Sequence, residues 1–129
     1  MGQPAAKQGD RIVAIDIHQI LPPATSPPVP VPHPFSGLID GALSPSVKIM
    51  GLAAATVGST ATNTPPHIPI GGTFVIPPTN TATIVSGSST VFINGKAAAR
   101  LGDSADTCND VGVTRGGQII AAGTVLIGG

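Results

Sequence analysis

The stretch Ser89–Asp103, S-T-V-F-I-N-G-K-A-A-A-R-L-G-D, contains a complete structural unit. It begins with a short segment rich in Val, Phe and Ile, which are residues that favour β-strands. Asn94-Gly95 follows, and this dipeptide is typical of tight hairpin turns because both residues tolerate positive φ. A small-residue run, Ala97–Ala99, leads to the final Gly-Asp pair, which we call the stop. The same order of strand, turn, alanine run and stop occurs elsewhere in the chain.

A second copy of this pattern lies 44 residues earlier (91 − 47). With that shift, Val91 matches Val47 and Ala97–Ala99 matches Ala53–Ala55. The glycine of the stop is present again, but Ser59 replaces the aspartate. We call residues 47–59 the first unit and residues 90–103 the second unit.

A third copy is divided between the two ends of the sequence. Its strand half, Thr124–Gly129, matches Thr90–Gly95, and its alanine half, Ala5–Asp10, matches Ala98–Asp103. We call residues 124–129 together with 2–10 the split unit. Internal repeats of this kind predict three units around one pseudo-threefold axis, with the ring opened inside one unit. The two termini should therefore lie side by side.

The pattern and the composition predict an all-β fold with little helix. The alanine runs are too short for isolated helices and are flanked by glycine. Three Phe, no Tyr and no Trp provide few bulky side chains for a core, so additional stabilisation such as a metal is expected. We expect one domain over residues 1–129, with proline-rich excursions at about 22–34 and 60–83 along its surface. The first excursion has seven prolines, which indicates extended chain and not a central strand.

Three other segments carry local signals. Arg11–Leu21 alternates in a way that predicts a strand with one buried face, and Asp16 and His18 would share a face. Residues 104–117 are predicted to form a polar loop. Gln118–Gly129 is predicted to form a pair of strands with a turn between them.

Charge and hydropathy exclude several functional classes. The formal net charge is zero and no basic patch exists, so nucleic acid is not an expected partner. Leu38–Val57 is apolar but is interrupted by charged residues and glycine, so stable membrane insertion is not expected. The first residues lack the apolar region of a secretory signal. A single cysteine, which cannot form an internal disulfide, favours synthesis and folding in the cytoplasm.

The residues that best support chemistry are three histidines and one cysteine. His18 and His67 each lie 8 residues after the end of a stop (18 − 10 and 67 − 59), and Cys108 lies 5 after (108 − 103). A threefold arrangement would bring these three side chains to one end of the axis. His33, in the first excursion, would add a fourth ligand, although it does not lie at a corresponding distance after a stop. Three imidazoles and one thiolate suit a closed, tetrahedral, structural zinc site.

Other interpretations of these residues remain open. Histidines in polar loops are often simply solvated, and a lone cysteine often packs as a small apolar residue. Cys108 and a histidine could form a nucleophile and base, but no oxyanion hole or substrate cleft is indicated. Aspartates could act as paired carboxylates, but Asp10 and Asp103 are better explained as residues that cap turns. We therefore expect no enzyme activity.

Taken together, the motifs resemble the PAAR-repeat family, named for a Pro-Ala-Ala-Arg motif. The chain has Pro4-Ala5-Ala6-Lys7 in the split unit and Ala97-Ala98-Ala99-Arg100 in the second unit. Ala53-Ala54-Ala55-Thr56 is a degenerate version in the first unit. The resemblance extends over nearly the whole chain outside the proline-rich excursions.

The resemblance implies a small cone-shaped β domain that caps a trimeric VgrG-like spike, one tip per trimer. Such spikes belong to type VI secretion systems and phage-tail-like particles, and the sequence does not distinguish between them. The family's zinc site of three histidines and one cysteine maps onto His18, His33, His67 and Cys108. The implied role is to sharpen the spike for membrane puncture and to attach effector cargo after assembly in the bacterial cytoplasm. A small adaptor that docks effectors without piercing is the alternative, a cysteine hydrolase is the third, and no fused effector is expected.

Overall fold

The computed structural model describes residues 2–24, 26–110 and 116–129, and these residues form strands and turns without any helix. None of them forms a helix that is long and apolar enough to span a bilayer. The strands in chain order are β1 (Gln3–Pro4), β2 (Arg11–Leu21), β3 (Val29–Gly41), β4 (Lys48–Ile49), β5 (Leu52–Ala53), β6 (Thr60–Asn63), β7 (Thr73–Phe74), β8 (Thr81–Ile84), β9 (Phe92–Ile93), β10 (Lys96–Ala97), β11 (Ser104–Asp106), β12 (Gly117–Ile120) and β13 (Leu126–Ile127).

Six of these strands close a small antiparallel barrel. The order is β2-β3-β6-β8-β11-β12, and β12 returns to pair with β2. Three strands, β2, β6 and β11, each begin directly after the stop of one unit, so the repeat sets the barrel order. The barrel encloses the main hydrophobic core, in which Ile39, Ile84 and Ile119 are fully buried. Closure leaves these six strands without a continuous free edge.

Each unit also contributes one short hairpin. The hairpins pair in the same register, as Ile49 with Leu52, Ile93 with Lys96, and Ile127 with Gln3. Asn94 and Gly95 have φ of 53° and 79°, as a tight turn requires. The third hairpin joins the two ends of the chain, which confirms the prediction of a split unit with adjacent termini.

Three alanines form a cyclic set of backbone hydrogen bonds, which we call the alanine ring. Ala6 N–H donates to Ala99 O at 2.9 Å, Ala99 N–H to Ala55 O at 3.1 Å, and Ala55 N–H to Ala6 O at 3.0 Å. All three residues are buried. Each unit donates an N–H to one neighbouring unit and accepts an N–H from the other. The ring therefore has the pattern of a threefold axis.

The alanine ring separates two ends of the molecule. On one side, the three hairpins enclose a second small core whose members are again equivalent, namely Ile49, Ile93 and Ile127 with Ala5, Ala54 and Ala98. We call this the hairpin end. On the other side lies the barrel core, beyond which β2 and β3 continue as a long two-stranded extension.

Three local predictions need correction. Residues 29–34 are extended and mostly exposed, as expected, but they belong to strand β3, in which Pro30, Pro32 and Pro34 take alternate positions where β3 pairs with β2 alone. Proline is tolerated there because its missing N–H faces a free edge. The predicted loop 104–117 begins with strand β11 and ends in β12, and its residues 111–115 lie outside the described ranges. Finally, β12 and β13 do not pair with each other, because β12 completes the barrel and β13 pairs with β1.

Candidate metal centre

Strand β2 carries a polar face inside the molecule. Asp16 and His18 are fully buried, whereas Ile15 is 63% exposed. The predicted shared face of Asp16 and His18 is therefore the inner face, which is opposite to the usual orientation of polar and apolar residues. Buried ionisable groups require partners, and their partners come from three other segments of the chain.

His18 has a fixed ring orientation. Its Nδ1–H donates to Asp110 Oδ1 at 3.0 Å, and Asp110 Oδ2 in turn accepts the backbone N–H of Gln19 at 2.8 Å. The carboxylate thus holds Nδ1 as the donor and leaves the Nε2 lone pair facing inward. Nε2 lies 3.7 Å from Cys108 Sγ. A carboxylate behind an imidazole is the usual support for a metal-binding histidine.

His33 reaches the same space from β3, the neighbouring strand. Its Nδ1–H donates to the backbone carbonyl of Val31 at 2.8 Å. Its Nε2 is buried and has no hydrogen-bond partner among the described residues. An unpaired buried acceptor is costly, so an additional group is expected at this atom.

His67 comes from the loop between β6 and β7. Its Nε2 lies 2.9 Å from Asp16 Oδ2, and its side chain is almost fully buried. Burial lowers the pKa of His67, although the hydrogen bond to Asp16 opposes this effect. The imidazole is therefore biased toward the neutral form, which is the form that binds metals.

Cys108 follows β11 and is half-buried beside the barrel core. Its thiol donates to Asp16 Oδ2 at 3.2 Å. Burial, followed by the hydrogen bond and charge of Asp16, raises the pKa of this thiol to about 12. Without a cation the sulfur thus remains protonated, and a metal would stabilise the thiolate instead.

The segment that carries Cys108 is tied to β2 on the side opposite β3. Asn109 Oδ1 accepts the N–H of Ile17 at 2.6 Å, and Asp110 N–H donates to Ile17 O at 3.0 Å. These bonds fix the sulfur opposite His18. Thr107 also hydrogen-bonds to Asp16, so two consecutive residues of this segment contact the same carboxylate.

The structure groups His18, His67 and Cys108 with Asp16, and the ring of His33 lies beside this group without belonging to it. The rings of His18, His33 and His67 have centroids 4.9–5.6 Å apart. One donor atom each of Asp16, His18, His67 and Cys108 lies within 4.8 Å of the others. In a tetrahedral zinc site the ligand atoms are about 3.5 Å apart, so this cluster needs small movements to bind the ion. The soft sulfur and the imidazole nitrogens suit zinc, and the unpaired Nε2 of His33 fits a fourth ligand.

Sequence reasoning missed several neighbours of the site. The sequence places Asp16 on the face of His18 but predicts no role for it at the centre. Asp110 lies two residues after Cys108, and this proximity was the available signal. Phe74, whose ring centroid is 5.4 Å from those of His18 and His33, had no recognisable signal.

The aspartates of the two stops, Asp10 and Asp103, accept backbone hydrogen bonds from their own turns. Asp103 Oδ2 accepts the N–H of Arg100 at 2.8 Å, and Asp10 Oδ2 accepts the N–H of Lys7 at 3.0 Å. These residues cap turns, as the sequence predicted. In the first unit, Ser59 Oγ accepts the N–H of Thr56 at 3.0 Å and performs the same function.

Comparison with known protein families agrees with this geometry. A family model for the PAAR motif matches residues 30–111, which is more than half of the chain. The match includes the first and second units and three of the four residues proposed from sequence as metal ligands. A comparison with curated proteins gives no match. The chain, with its closed ring of three repeats, therefore belongs to the PAAR motif family.

Proposed function

We propose that this protein is a non-enzymatic, zinc-stabilised tip that caps and sharpens the trimeric spike of a contractile injection system. Membership of the PAAR motif family implies a spike-tip role in such systems. The observation that carries the proposal is the cyclic pattern of the alanine ring and the three hairpins. One chain here presents three equivalent elements around an axis, which is what a single subunit needs to match a trimer.

The hairpin end is the surface proposed to contact the spike. Phe92 is 60% exposed and Leu126 is 59% exposed, and they occupy equivalent positions in the second and split units. Met50, at the turn of the first unit, is also exposed. Large apolar side chains on one end of a small protein favour a protein partner. A VgrG-like trimer with three β-strands at its blunt end would bind one such tip.

The opposite end is proposed to be held by zinc through His18, His33, His67 and Cys108. When bound, the ion would link four separate segments of the chain. Asp16 would act as a hydrogen-bond acceptor beside these ligands. A closed site with four protein ligands suits a structural role.

Membrane puncture is proposed from the distribution of charge. No Asp, Glu, Lys or Arg occurs between Asp16 and Asp40, or between Lys48 and Lys96. These segments include the loop of His67 and the extension of β2 and β3. Segments without charged residues at the leading end lower the cost of transient contact with lipid. We propose that the protein is assembled in the bacterial cytoplasm and ejected with the spike of a type VI secretion system or a phage-tail-like particle.

A second candidate function is a small adaptor that docks effector cargo without piercing. A cavity of about 350 Å³ beside the metal centre favours it. The cavity is lined mainly by apolar side chains, among them Pro65, Pro66, Ile68 and Ile70. Cargo docked here would leave the hairpin end available for the spike.

Reconstitution with the trimeric spike protein of the same organism tests the proposal. Native mass spectrometry should give one chain of this protein per three spike chains. Phe92→Asp and Leu126→Asp should abolish the complex, whereas Ile68→Asp should not, although Ile68 is 72% exposed and equally apolar. Loss of binding only in Ile68→Asp, or a 3:3 complex, would contradict the proposed geometry.

A further inference from the structure

Asn80 lies at the end of the loop between β7 and β8, and its backbone is left-handed. Its φ is 58°, a conformation in which asparagine is among the few common non-glycine residues. The side chain is half-buried against the metal centre. A strained position next to a candidate site calls for a functional explanation.

Asn80 lies between the segments of two candidate ligands. Its side-chain Oδ1 accepts the backbone N–H of His67 at 2.8 Å. The residues directly before it, Pro78 and Thr79, line a cavity together with Cys108. His67 and Cys108 lie in different loops, and Asn80 is placed next to both of them.

The contacts of Asn80 are anchored on the barrel through Asn63. The two residues are joined twice, from Asn63 N–H to Asn80 O at 2.8 Å and from Asn63 Nδ2 to Asn80 Oδ1 at 3.2 Å. Asn63 is buried, and its Oδ1 accepts the N–H of Ser36 on β3 at 2.9 Å. A continuous set of hydrogen bonds therefore runs from β3 through Asn63 and Asn80 to His67.

We propose that Asn80 is a positioning residue for the metal centre, which couples the loop of His67 to the segment of Cys108. Its side chain sets the distance of the His67 backbone from the barrel. Hydrogen bonds that orient the ligand segments are typical of the outer contacts that tune metal sites. This inference rests on the proposed zinc centre.

Two substitutions test the role of the Asn80 side chain without changing its backbone conformation. Asn80→Gly keeps positive φ but removes the acceptor for His67, whereas Asn80→Asp keeps the acceptor. Asn94→Gly is the matched control, because Asn94 also has positive φ (53°) and its side chain also bonds neighbouring segments, but at the hairpin end. All four proteins are loaded with zinc or cobalt at a temperature where circular dichroism shows them folded.

The expected result is a zinc affinity about 10–100-fold weaker in Asn80→Gly, measured by competition with a chromophoric chelator. The cobalt spectrum of that variant should lose intensity in its tetrahedral d–d bands. Asn80→Asp and Asn94→Gly should keep wild-type affinity and spectrum, even if the melting temperature of Asn94→Gly falls. Wild-type affinity and spectrum in Asn80→Gly would overturn this inference alone, whereas a wild-type protein that binds no metal would overturn the zinc centre as well.

Discussion

Ala6 donates its backbone N–H to the carbonyl oxygen of Ala99 at 2.9 Å, although the two residues lie near opposite ends of the chain. This bond joins the split unit to the second unit. It belongs to the alanine ring, and each of its three members has a methyl group as its whole side chain. A larger side chain there would press against two neighbouring units.

Ala99→Val should therefore destabilise the protein by about 1–3 kcal/mol, because added methyl groups overpack a closed site. Urea denaturation followed by circular dichroism measures the change. Ala122→Val is the control, since Ala122 is exposed, and it should alter stability by no more than about 0.5 kcal/mol. Equal effects of both substitutions would show that the ring is not tightly packed.

The turn of the second unit can be converted to that of the first unit. Arg100 Nη2 contacts Asp103 Oδ1 at 3.0 Å, whereas the first unit has the neutral pair Thr56 and Ser59 at these positions. Asp103→Ser alone leaves a guanidinium without its carboxylate and should cost about 1–3 kcal/mol. The double substitution Arg100→Thr with Asp103→Ser restores a neutral turn and should cost less than the single one. Urea denaturation of both variants tests this, and strictly additive costs would contradict it.

His33 and Asp16 are alternative fourth ligands of the metal, because both lie beside His18, His67 and Cys108. If His33 is the ligand, His33→Ala should weaken zinc binding more than Asp16→Asn, since the latter removes only a supporting hydrogen bond worth about 10–100-fold. Chelator competition gives the affinities, and the cobalt spectrum gives the ligand geometry. The reverse order would identify Asp16 as the ligand in place of His33.

Removal of the metal should lower thermal stability. A ligand at 100 times its Kd adds about 2.7 kcal/mol to the folded state, which corresponds to about 10 °C in a domain of this size. Calorimetry with and without a strong chelator measures the shift. Cys108→Ser should melt near the chelated wild-type protein and should respond little to chelator. A wild-type melting temperature that chelator does not change would contradict a structural metal.

The repeat was visible in the sequence because turns and small residues have fixed requirements. Asn94-Gly95 predicted a hairpin, and the alanine runs marked positions where chains approach closely. The split unit followed from the same alignment. Strand β3 was missed at 29–34, because the rule against proline in strands applies to central positions and these residues pair on one side only.

The residues that support the candidate ligands were harder to predict from the sequence. Residues such as Asp110 and Asn80 act through contacts between distant segments, which no local pattern encodes. The histidines and the cysteine were identifiable because three of them lie at similar distances after the stops of the repeat. Asp16 was assigned to the correct face, but its burial depends on closure of the barrel.

The buried Asp16 and His18 of β2 have a physical consequence for the proposed passage through lipid. Hydrophobic burial stabilises a fold only while water surrounds it, so an oil-like medium removes that driving force. Hydrogen bonds and charge contacts become stronger in such a medium. Around Asp16 and His18, cohesion comes from polar contacts on the inside while apolar Ile15 faces outward. The contacts around Asp16 and His18 therefore keep their strength when water is removed, unlike the hydrophobic contacts of the barrel core.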